Sequence, residues 1–218
     1  MRTRTILTMA LSYALLGILM NSVGVVILQS ILHFNATKPM ASTLEACKDL
    51  SVVAASFLLA SYVPAFGYRR AQVALLAVMA VACLAASFTS RFWGMQLLFV
   101  VTGLSFGVVK IATYSTIGLL ARDPDDHASI TGFTEGMFMV GVLSGAWIFS
   151  LFVAGDNWLH VYWLLSALCA AAAIGWLLVR LDESGASKAE ASPLAGWREM
   201  LALAALPATV GILAGLFL

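Results

Sequence analysis

GLSFGVVKIATYSTIG, residues 103–118, lies inside an apolar run from about Trp93 to Leu120, with Lys110 near its middle. A run of this length is long enough to cross a bilayer as a helix, which needs roughly 20 residues. A lysine carried into hydrocarbon costs about 2.5–3.5 kcal/mol on insertion scales. A chain keeps such a residue where a partner side chain, water or an anionic ligand meets it. The stretch therefore decides two things together: the chain is membrane-spanning, and something is built around Lys110.

Composition agrees with the first conclusion. The 218 residues are 61% hydrophobic and 11% charged, and mean hydropathy is +0.96. Soluble domains carry about 25% charged residues, and a soluble fold of this length could not hide so much apolar surface. The runs are continuously apolar rather than alternating, so a membrane β-barrel is excluded. The fold class is all-α, a polytopic membrane helix bundle. The net charge of +1 gives no sign of a nucleic-acid partner. Cys47, Cys83 and Cys169 lie in separate apolar segments without metal spacing and read as small packing residues. His33, His127 and His160 lie at loops or helix ends. No protease, hydrolase or P-loop signature is present, so neither enzyme chemistry, a metal nor a cofactor is expected.

Six helices are expected, followed by a seventh. The first runs from Ile6 to about Leu32, too long for a signal peptide. The second runs from about Thr43 to Ala65, with Glu45, Lys48 and Asp49 in its first turns, and the third from about Ala71 to Phe88. The fourth is the opening run. The fifth opens at Ala128 or Ser129 and ends near Ala154, and the sixth runs from Trp158 to about Leu181. Residues 1–181 thus form one transmembrane bundle. Residues 182–199, polar and rich in small side chains, form a central loop, and residues 200–218 a seventh apolar helix. Trp93 and Trp158 stand at helix starts, where aromatic interface anchors collect.

Orientation follows from the basic residues of the short loops. Arg2, Arg4, Arg69, Arg70, Arg122, Arg180, Lys188 and Arg198 fall on the side of the N-terminus, against Lys38, Arg91 and at most Lys48 on the other. A cytoplasmic N-terminus is expected, in a bacterial inner membrane. An odd seventh span ending directly after apolar sequence suggests a chain cut short within a longer reading frame.

Six spans with short connections, a polar loop and a new span resemble the N-terminal half of a major facilitator superfamily transporter, plus the first helix of the second half. In that family two six-helix halves enclose a solute site near the midplane. Its loop between the second and third helices reads Gly-x-x-x-Asp-Arg-x-Gly-Arg-Lys. The matching stretch here is Ala60–Arg70, which keeps Gly67, Arg69 and Arg70 but has Ala60 for the first Gly and Pro64 for the Asp. Its ending is similar to the fucose-permease-like branch. That branch carries a Glu in the fourth helix where this chain has Lys110, and an acid in the first helix near Gly24. Sugar/proton symport chemistry is therefore not carried over. The resemblance implies alternating access, a small-molecule solute, a conformational role for Gly67, Arg69 and Arg70, and a missing C-terminal half as partner. A complete seven-span binding or signalling protein is the alternative.

Within the bundle, Gly103, Gly107, Lys110 and Tyr114 share a helix face. The glycines are expected to leave room beside the ammonium. Lys110 and Tyr114, with Asn21 from the first helix, are the candidate solute-binding residues. Lys110 lies about 15 Å from the helix end at Leu120, and Glu135 about 9 Å into the fifth helix, at 1.5 Å per residue. A Lys110–Glu135 pair is within reach; unpaired, Glu135 is a candidate proton carrier. Glu45, Lys48 and Asp49 share one face. They read as a solvated helix end with an internal salt bridge, or as an entry cluster in which Glu45 or Asp49 takes a proton. Gly132xxxGly136 and Gly141xxxGly145 read as close-packing surfaces.

Overall fold

The computed structural model describes residues 2–155, 157–181 and 183. The expected seventh helix, and all of the expected central loop but Glu183, lie outside the described residues. The described residues contain helices and no strand. The order is α1 Arg2–Asn21, α2 Val23–Phe34, α3 Lys38–Leu58, α4 Val63–Phe66, α5 Tyr68–Ser87, α6 Phe92–Leu120, α7 Pro124–Ala154 and α8 Val161–Leu178. Five of these are long and apolar enough to cross a membrane, and α3 with the bent segment after it makes a sixth span. The chain is an integral membrane helix bundle.

Several boundaries differ from the sequence expectation, each for a local reason. The first span is not one helix: it breaks at Ser22 into α1 and α2. The second span starts at Lys38, not Thr43, because Thr37 caps it by accepting a hydrogen bond from the Met40 amide and Pro39 suits its first turn. Its far end bends by 47° through a 3₁₀ turn at Ala60–Tyr62 into α4. The fifth span opens at Pro124, earlier than Ala128, because the Asp123 carboxylate caps it by accepting a hydrogen bond from the Asp126 amide at 2.8 Å. Gly67, at φ +94°, turns the chain into α5, a conformation that a side chain would strain.

Packing is by pairs. α1 lies against α7, α3 against α6, and α5 against both α8 and α6. The first two pairs approach backbone to backbone. A Cβ on Gly17 would fall 2.4 Å from the Phe138 carbonyl oxygen, one on Gly141 1.9 Å from that of Ala14, and one on Gly103 2.2 Å from that of Lys48. Gly141xxxGly145 is thus a packing surface. Gly132xxxGly136 packs on nothing among the described residues, none of which lies within 4 Å of either added Cβ. Trp158 is no lipid-facing anchor; it is buried against His33, Phe34 and Tyr162. Trp93, on α6, is exposed as expected.

Two ties close the end of the bundle that holds the N-terminus. Arg2 is hydrogen-bonded and ion-paired to Asp126, joining the starts of α1 and α7. Arg69 donates from Nε to the Trp176 carbonyl at 3.0 Å and from Nη2 to that of Leu177 at 2.6 Å, so it caps the end of α8.

Candidate functional site

The site is built on an aromatic floor. Tyr13 of α1, Phe106 of α6 and Phe138 of α7 meet with ring centroids 5.3–6.2 Å apart. Three spans supply them because the glycine contacts pull α7 onto α1. Val52 of α3 packs against the same cluster. Tyr13 is 1% exposed, and its hydroxyl donates to Glu135 Oε1 at 3.3 Å. The Tyr114 hydroxyl donates to the same oxygen. Glu135 is half-buried and bridges α1, α6 and α7 through two phenols. Such donors satisfy a carboxylate without neutralising it.

Lys110 is exposed on this floor. Its Nζ lies 5.8 Å from the Phe106 ring centroid and 5.9 Å from that of Tyr114, within cation–π range. No carboxylate among the described residues pairs with it. Of the two alternatives left open by the spacing, the Lys110–Glu135 pair is not the one formed. Tyr114 stands between them, offering its ring to the ammonium and its hydroxyl to the carboxylate. The glycine expectation also needs correction. Gly103 and Gly107 are buried against α3, facing Lys48, Ser51, Val52 and Ala55, and so do not open space beside Lys110.

Asn21 sits two helical turns beyond Tyr13, on the stripe that also carries Gly17. It is exposed, and its Nδ2 donates to the carbonyl of Gly17 at 3.1 Å. Glu45 and Asp49 are exposed on α3. Lys48 between them is 8% exposed, which overturns the solvated-end reading for that residue. The earlier start of α3 places it in the third turn. Its Nζ lies 3.4 Å from the Met20 carbonyl and 3.4 Å from Asp49 Oδ1. Gly103 packs on the backbone of Lys48, so Lys110, seven residues further along α6, is about 10 Å closer to the end of the bundle that holds the chain's N-terminus.

Gly67, Arg69 and Arg70 lie apart from this face. They line a cleft of about 340 Å³ with Pro64, Leu181 and Glu183 at the end of the bundle. There the Glu183 carboxylate accepts from the Arg69 amide at 2.8 Å. Tyr13 was missed by the sequence reading. Its spacing of four from Gly17 and eight from Asn21 was the signal that could have found it. No group of three or more His, Cys, Asp or Glu side chains among the described residues could hold a metal ion.

The arrangement is four spans that expose the Lys110 cation, the Glu45 and Asp49 carboxylates and the Asn21 amide, with Glu135 half-buried and Lys48 buried behind them, backed by α5 and α8. Exposed apolar side chains such as Val81, Leu84, Leu168 and Leu178 cover those two helices. No curated protein sequence matches the chain. A protein-family model described as Major Facilitator Superfamily matches residues 9–218. With six span candidates in the expected order and nearly the whole chain matched, the chain belongs to the major facilitator superfamily, a family of membrane transporters.

Proposed function

We propose that this chain forms one wall of the solute path of a secondary transporter for a small hydroxylated anion, a sugar-acid or organic-acid type of solute. The observation that carries the reading is Lys110: an exposed ammonium on an aromatic floor, without a carboxylate partner among the described residues. A lysine facing lipid at that depth is costly, so the face that bears it is read as lining water or solute. An aromatic surface beside a cation suits a solute with a carboxylate and an apolar ring or chain face. Asn21 and Tyr114 supply the polar contacts.

The same reading gives Glu135, Asp49 or Glu45 the role of proton carrier in symport. It places a second six-helix half opposite this wall and moves the two by alternating access. It puts the N-terminus in the cytoplasm of a bacterial inner membrane, on the count of basic loop residues. Gly67, Arg69 and Arg70 act at the end of the bundle, where Arg69 holds α8 to α5. The departure from the fucose-permease pattern at Lys110 favours an anion over a neutral sugar.

Binding of gluconate and of a neutral hexose to the purified chain, read by intrinsic tryptophan fluorescence, tests this. Gluconate is expected to bind the wild type, and Lys110→Met to weaken it at least tenfold while leaving the hexose signal unchanged. Equal gluconate affinity in wild type and Lys110→Met overturns the assignment.

A further inference from the structure

The first span is broken at Ser22, and the break is chemically dressed. When a helix stops, its last carbonyls lose their amide partners and carry the negative end of the helix dipole. Here two carbonyls of the last turn of α1, and that of Gly17 just before it, take side-chain donors. Asn21 Nδ2 donates to Gly17 O at 3.1 Å, Ser22 Oγ to Leu19 O at 2.8 Å, and Lys48 Nζ to Met20 O at 3.4 Å. The first two donors are local and travel with α1. The third reaches from another span, so Lys48 ties the joint to α3.

Lys48 is held for this task. The α6 backbone presses on it at Gly103, and its side chain is 10% exposed. Its neighbour Asp49 has a side chain 61% exposed, on the open face, with Oδ1 also 3.4 Å from Nζ. Both contacts are long for a charge-assisted bond, which prefers about 2.7–2.9 Å. One ammonium is shared between two acceptors and fully engaged by neither. Other charges do not blur this balance. Glu45 lies one turn away on α3; α1 and α2 bring no titratable group between Tyr13 and His33, and α6 brings none between Phe92 and Val109.

We infer that Lys48 is a positioning residue that holds the α1–α2 joint, and through it Asn21, in competition with Asp49. Neutralising Asp49, by a proton or by a cationic group on the open face, hands Lys48 to the Met20 carbonyl and tightens the joint. Removing Lys48 loosens it. The charge state of an exposed carboxylate is thereby converted into the stiffness of a broken span, beside the residue that the proposed function assigns to solute contact. The functional part of this inference rests on that assignment. The mechanical part does not.

Hydrogen exchange of the full chain in nanodiscs, followed by mass spectrometry over residues 17–28, tests the mechanical part directly. Lys48→Met is expected to speed amide exchange at the joint about tenfold, with residues 138–145 of α7 unchanged. Asp49→Asn, at an exposed position that tolerates the change, is expected to slow exchange at the joint. The opposite signs are the signature, because a Lys48 side chain that merely fills space gives no slowing in Asp49→Asn. Unchanged exchange in Lys48→Met, or equal acceleration in all spans, overturns the inference. If Lys48→Met does not fold, Asp49→Asn decides alone, and unchanged or faster exchange there overturns it. Failure of gluconate binding at Lys110 leaves this result standing, so the two readings can fail separately.

Discussion

Lys48 and Lys110 are both lysines inside membrane spans, and their surroundings are opposite. Lys110 stands in the middle of an apolar run, yet it is exposed, with two ring faces for company. Lys48 lies near what reads as a loop, yet it is buried, with a carbonyl and a carboxylate in reach. Position along a span sets depth in the membrane. Exposure is set by which helix face meets a neighbour, and the glycines decide that. Gly103 and Gly107 turn one face of α6 against α3, enclosing Lys48 and leaving Lys110 on the open side.

The contrast can be broken most forcefully at Gly103. A valine there places Cβ 2.2 Å from the Lys48 carbonyl oxygen, and backbone cannot rotate away as a side chain can. The expected loss is about 3 kcal/mol, the upper end of the overpacking range. Reversible unfolding in mixed micelles, or loss of folded protein on size exclusion, measures it. Gly136→Val is the matched control. Nothing among the described residues lies within 4 Å of its added Cβ, so it is expected to be neutral within about 0.5 kcal/mol. Equal damage from both would mean that the two glycine pairs are not distinct, and that a partner covers the open face of α7.

Next in size is the carboxylate that Tyr114 separates from Lys110. Glu135→Leu strips the acceptor from the buried Tyr13 hydroxyl, an expected cost of about 1–3 kcal/mol. Glu135→Gln keeps an acceptor and is expected to cost less than about 1 kcal/mol. Thermal unfolding of the two variants sharpens the comparison, since a carboxylate needed for charge balance with Lys110 would make them equally harmful. Tyr114→Phe removes one hydroxyl from Glu135 and keeps the ring under Lys110. It is expected to cost about 1 kcal/mol and to leave gluconate binding less affected than Lys110→Met does.

Much of this architecture was legible from residues. The six apolar runs, the short loops and the turn at Gly67 follow from hydropathy and from punctuation by Pro, Gly and charge. Caps were harder. Asp123 and Thr37 each start a helix several residues before the apolar run begins, because capping depends on one hydrogen bond rather than on average hydropathy. The break at Ser22 was not legible at all. Asn21, Ser22 and Gly24 are individually tolerated inside a span, and the donor that reaches the joint from Lys48 comes from another helix, 28 residues further along the chain than its acceptor. For the site, the sequence pointed to Lys110, Tyr114 and Glu135. It could not show that Tyr114 separates the other two, since a difference of one helical turn in depth says nothing about what lies between.

The smallest expected stability effect belongs to Lys110 itself, and it is the sharpest test of the contrast. Lys110→Met removes an exposed ammonium with two ring contacts about 6 Å away, and keeps a flexible stem of similar length. A cation–π contact at an exposed site is worth about 0.5–1 kcal/mol, and the thioether of methionine recovers part of it against the same aromatic faces. Thermal stability in detergent should therefore move by no more than about 0.5 kcal/mol. A structural lysine predicts otherwise, because removing it would uncover a carboxylate or a carbonyl that it had satisfied, as it does at position 48. Measured beside gluconate binding, an unchanged unfolding curve with lost affinity identifies a residue kept for a ligand. A clear fall in stability would instead place Lys110 in the same class as Lys48 and remove the strongest support for the solute path.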